Sequence, residues 1–151
     1  MADIHIDDFY RDVAKILTRL YAVFPRKTTL YVEDISGPDE PDEFGLHHPR
    51  FQACFSTMIW LAEHDYLLFQ DTIRQEALDQ VVLSQKAFLV LTSQSDVSVR
   101  EASELDSLPP SLSQEVQTNV ARLRGALQER SSFLLRNAVS HILSHAPVPT
   151  R

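Results

Sequence analysis

Apolar residues recur at three-and-four spacing from the start of the chain: Ile6, Phe9, Tyr10, Val13, Ile16, Leu17, Leu20, Tyr21 and Phe24. That period predicts an amphipathic helix. Asp3, Asp7 and Asp8 place negative charge near its positive end, and Pro25 stops it. The pattern then changes. TTLYVEDI, 28–35, is β-branched and aromatic and predicts a short strand. SGPDEPDEFG, 36–45, holds two prolines, two glycines and four carboxylates, and predicts an exposed acidic loop. The helical period resumes over 48–64, with Pro49 suited to a first turn. Its predicted buried stripe is Phe51, Phe55, Met58, Ile59 and Leu61/Ala62, with Trp60 at the edge. Arg50, Gln52, Ser56 and Thr57 fall on the opposite side.

Downstream, YLLFQDTI at 66–73 reads as a strand, RQEALDQ as a polar tip, and 81–83 as a returning strand, which together make a hairpin. Ser84 is placed to cap a helix over 84–91. Residues 97–108 are weakly helical and end at Pro109 and Pro110. Ser111 or Ser113 then opens a long amphipathic run through Leu112, Val116, Val120, Leu123 and Leu127, continued by Leu134, Ala138, Val139, Ile142 and Leu143. Gly125 and the Ser131–Ser132 pair are the candidate breaks in it. The predicted class is mainly α with a small β-hairpin, α+β. The predicted division is a domain over 1–94, a linker over 95–110, a C-terminal helical element over 111–146, and a tail over 147–151.

The helix end WLAEHDYL, the polar-tipped hairpin and then VVLSQKAFLVL form an ordered series across 51–91. The series resembles the recognition-helix-plus-wing half of bacterial winged-helix proteins. In that family a motif of the type LT-x-K-G opens the helix after the wing, and here Leu83, Ser84, Gln85, Lys86 and Ala87 stand in its place. A hydroxyl residue there satisfies the free N–H groups where a strand runs directly into a helix. The resemblance implies a winged-helix core with an appended helix or helix pair. It also implies a short helix before the recognition helix, a place that the acidic loop holds in this sequence. Carried onto this chain, the DNA-reading positions are Arg50, Gln52, Ser56 and Thr57 on the recognition helix, Arg74 and Gln75 at the wing tip, and Lys86. Arg and Gln read base edges and Ser or Thr reach phosphates.

Charge changes that picture. The formal net charge is −7, and it is uneven. Residues 1–109 carry nine Lys/Arg against nineteen Asp/Glu, and 110–151 carry five against two. Non-specific DNA affinity comes chiefly from phosphate neutralisation, and residues 45–90 offer three basic against five acidic side chains. The acidic loop, with Asp39, Glu40, Asp42 and Glu43, instead suits a basic partner. The apolar seam of the C-terminal element, including Leu123, Leu127, Leu134 and Ile142, needs a surface to cover it. Pairing with a second copy through 111–146 is the favoured solution, and folding back on the domain is the other.

Catalytic chemistry finds no foothold. Three glycines, at 37, 45 and 125, build no phosphate loop or dinucleotide fingerprint. There is no G-x-S-x-G, no C-x-x-C and no H-E-x-x-H. His47 and His48, with Cys54 or His64, have no usual ligand spacing, and the acidic loop lacks the spacing of a calcium loop. The lone Cys54 and the absence of a long apolar run predict a cytoplasmic protein without a membrane span or cofactor. Two readings follow: a dimeric winged-helix regulator that binds double-stranded DNA, or a winged-helix subunit of a larger complex whose acidic loop contacts a basic partner.

Overall fold

The computed structural model describes residues 3–94 and 118–144. Helix α1, Ile4–Val23, is the spine of the molecule. Val13, Ala14, Ile16, Leu17 and Leu20 are buried along it, because three-and-four spacing puts them on one face. Strand β1, Thr28–Tyr31, follows. The strand expected over 28–35 is therefore shorter, and Val32–Ser36 forms a helical turn, α2. The cause lies in the partner strand. Val32 N–H donates to Glu76 O, and the ladder has nothing further to offer. Local bonds take over, with Gly37 N–H donating to Glu33 O and Ser36 Oγ to Val32 O. Val32 and Ile35, three apart, are then buried together. Gly37 leaves the helix at φ 98°, a conformation that costs a residue without Cβ little. A short helix therefore stands just ahead of the acidic loop.

Helix α3, Pro49–Glu63, is capped by His48, whose Nδ1 accepts from Arg50 N–H. Its buried line is Phe51, Cys54, Thr57, Met58 and Leu61. Relative to the predicted stripe it is rotated, so Phe55 and Ile59 are only half-buried. The buried Thr57 satisfies its hydroxyl by donating to Ala53 O.

The predicted hairpin is present with altered limits. Strands β2, Leu67–Leu68, and β3, Asp71–Ile73, both pair antiparallel with β4, Ala77–Leu83. The single strand expected over 66–73 is interrupted at 69–70, opposite Gln80, whose φ of 56° turns the backbone out of the ladder. The tip is only Arg74, Gln75 and Glu76, because β4 begins at Ala77 rather than at 81. Arg74 and Gln75 have positive φ, 50° and 58°, and Glu76 N–H donates to Ile73 O at 2.7 Å. This is a tight left-handed turn over Arg74 and Gln75, with Glu76 as the extra residue before β4, built without glycine or asparagine. The sheet runs β1–β4–β2, with β3 also on β4.

Ser84 caps α4, Gln85–Thr92, by accepting from Ala87 N–H, as expected. The weak helix expected over 97–108 and the caps expected at Ser111 or Ser113, with Leu112 and Val116, lie outside the described residues. Helix α5, Asn119–Glu129, is capped by Thr118 and runs unbroken through Gly125. Buried Asn119 donates from Nδ2 to Val90 O and Ser93 Oγ, tying α5 to the end of α4. Arg130, left-handed at φ 54°, ends α5, and α6 follows over Ser132–Ser144. Both helices pack on α1. Val120, Leu123, Leu135, Val139 and Ile142 join one core with α1, α3, α4 and the sheet. The molecule is thus α+β, with a small antiparallel sheet among six helices in the described residues. None of the described helices is long and apolar enough to cross a membrane.

Candidate interaction groove on the third helix

Rotation of α3 decides what its outer side presents. Gln52, Phe55, Ser56, Ile59, Trp60 and Glu63 form a second stripe at helical spacing, and this stripe floors a cleft of about 750 Å³. One wall is the hairpin tip, Arg74, Gln75 and Glu76. The other end is closed by the loop residues Pro41, Gly45, Leu46 and His47.

Each wall is positioned by identifiable bonds. Asp42 Oδ1 accepts from Phe44 N–H and Leu46 N–H, both at 2.9 Å, and Asp42 N–H donates to Leu46 O. This closed turn holds Leu46 out at 60% exposure. Asp39 Oδ2 accepts from His48 N–H at 2.8 Å and bonds His47 Nδ1 at 3.0 Å. The backbone bond from His48, with smaller help from the His47 bond, holds the Asp39 carboxyl below its usual 3.8. His47 in turn stacks on Phe51 at 3.9 Å between ring centroids. The loop is therefore tied to the start of α3. Trp60 is held by His64, stacked at 4.1 Å, and by the edge-on Phe9 ring at 5.3 Å.

The seven DNA-reading candidates divide. Gln52, Ser56, Arg74 and Gln75 border the groove. Arg50 does not: its NH1 and NH2 meet the two carboxylate oxygens of Asp12 at 2.7 and 2.6 Å, and its Nε lies 3.5 Å from Asp8. That bidentate bond pushes the Arg50 pKa up. Thr57 is buried, and Lys86 donates to His64 O and lies 4.3 Å above the Tyr66 ring. Cys54 is sealed in the core beside the same ion pair, and burial pushes its thiol up to about 12. Such a thiol is unreactive at neutral pH.

The partner-binding candidates divide as well. Glu40 and Glu43 are exposed, whereas Asp39 and Asp42 shape the loop itself. Leu123 and Ile142 are buried inside this chain, and Leu127 and Leu134 pack at the edge of the same core. Within one chain the seam lies against α1, the arrangement of the folding-back alternative. Sequence reading missed Leu46, Phe55, Ile59, Trp60, Glu63 and Glu76 as groove residues. The available signal was that apolar positions on α3 are too many for one stripe, which leaves a second face partly apolar. No known family, curated protein or solved structure matches the chain.

Proposed function

We propose that this chain is an interaction module of winged-helix arrangement that binds a protein partner in the groove between α3 and the hairpin tip. The helix–strand–helix–helix order ahead of a sheet ordered β1–β4–β2 supports the arrangement. One observation carries the choice of partner. The face of α3 that would lie in a DNA groove is floored by Phe55, Ile59 and Trp60, and among the described residues Arg74 is the only arginine or lysine lining it. Arg50, the cation that α3 itself carries, is turned inward onto Asp12. Affinity for a duplex needs several neutralised phosphates, whereas a protein site needs apolar anchors with a polar rim.

The second reading, a DNA-binding regulator, draws on Gln52, Ser56, Arg74 and Gln75 sharing one groove. Titration of a random-sequence duplex at low salt separates the two. The module gives no salt-steep binding, and Arg74→Ala leaves the titration unchanged. Salt-steep binding that Arg74→Ala removes establishes the regulator in its place.

A further inference from the structure

Charge around the groove has one dominant sign. Glu63 at the α3 edge of the groove and Glu76 at the hairpin tip are exposed and line it, and Glu40 and Glu43 are exposed on the neighbouring loop, on either side of the Pro41–Asp42 step. Against them stands Arg74, while His47 is engaged by Asp39. Between the walls the floor is Phe55, Ile59 and Trp60, with Leu46 overhanging it. This is an apolar trough with carboxylates on its rim. The volume, about 750 Å³, admits several side chains at once.

We infer that the groove takes a basic segment of a partner protein, one that seats a bulky apolar side chain against Trp60 and sets flanking lysines or arginines against Glu63 and Glu76. The inference rests on the module reading above and specifies its partner. Burial of an aromatic or leucine anchor on a half-buried floor supplies the affinity. The rim carboxylates, in a chain of net charge −7, steer a cationic segment and reject an acidic one. Among the described residues that line the groove, an acidic segment gains at Arg74 and meets like charge at Glu63 and Glu76.

Trp60 is the only tryptophan of the chain, so its emission reports groove occupancy directly. Two probes are titrated into the full chain: an amphipathic 18-residue peptide of leucine and lysine, and the same peptide with glutamate for lysine. The expected result is a saturable change in Trp60 emission with the lysine peptide alone. Affinity falls by about tenfold or more in Glu63→Lys combined with Glu76→Lys, falls with Ser56→Arg, and is unchanged in Glu129→Lys, which alters an exposed carboxylate on α5. All four substituted residues are exposed, so the fold is retained. No emission change with the lysine peptide at millimolar concentration overturns the inference. Equal response to the two peptides, or equal loss in Glu129→Lys, overturns it too and leaves the module reading standing. Random duplex DNA that alters Trp60 emission and competes with the peptide removes the module reading itself.

Discussion

The Asp12 carboxylate, 1% exposed, receives both arms of the Arg50 guanidinium, and the pair fixes the angle at which α3 meets α1. Taking one partner away leaves the other buried without its counter-charge, which typically costs 3–5 kcal/mol. Arg50→Ala is therefore expected to lower unfolding free energy by about 3 kcal/mol, read from urea melts. Replacing both, as Asp12→Leu with Arg50→Met, is expected to recover most of that loss, because an apolar pair of similar volume carries no desolvation cost. Recovery by the double variant also separates a packing role from a phosphate contact, which the methionine does not restore. Asp39 acts by charge at the surface. Its folded pKa is lowered, so the tether is intact above the unfolded value of 3.8 and is lost as pH falls through the lower folded value. Amide exchange at His48, whose N–H is held by Asp39, is expected to accelerate in Asp39→Ala relative to the amides of α1.

At the scale of elements, three described turns hold non-glycine residues in left-handed backbone: Asp65 after α3, Arg74–Gln75 at the hairpin tip and Arg130 between α5 and α6. Each left-handed residue costs about 1 kcal/mol, a cost that glycine avoids in the fold and partly returns through its freer unfolded chain. Arg130→Gly is expected to raise stability by roughly 0.5 kcal/mol in thermal melts. Arg74→Asn with Gln75→Gly gives the turn its favoured residues and is expected to add about 1 kcal/mol. These positions also show where sequence reading reaches its limit. Helices α1 and α3 and the Ser84 cap are legible, because period and capping chemistry are local. The short α2 is not, because Val32 leaves the strand only where β4 runs out of partners. The rotation of α3 is not either, because it depends on an ion pair between residues 38 positions apart. Both faces of that helix carry apolar residues, and the long-range Arg50–Asp12 contact accompanies the setting in which Cys54 faces inward and Phe55 lines the groove.

For the whole molecule, the C-terminal pair decides whether the chain is complete by itself. Helices α5 and α6 lay Val120, Leu123, Leu135, Val139 and Ile142 against the spine helix. The Arg136–Asp7 pair at 2.9 Å and the Tyr66 hydroxyl donating to Leu143 O fasten α6 at its two ends. Arg136–Asp7 is exposed and worth little, so the apolar seam carries the attachment. Ile142 is 1% exposed, and truncating such a side chain to alanine typically costs 2–5 kcal/mol. The seam residues buried against α1 within one chain are not exposed to contribute to the roughly 1,200–2,000 Å² that a stable interface usually buries. Of the large apolar residues on α5 and α6, Phe133 alone is largely exposed, at 71%. Sedimentation of the full chain at micromolar concentration is accordingly expected to give a single species of about 17.2 kDa. Ile142→Ala is expected to lower the melting temperature without a dependence on protein concentration. If these helices paired between copies, the same substitution would shift the species toward monomer and the melt would depend on concentration. A folded monomer whose groove stays open is the state in which a basic segment of another protein can enter.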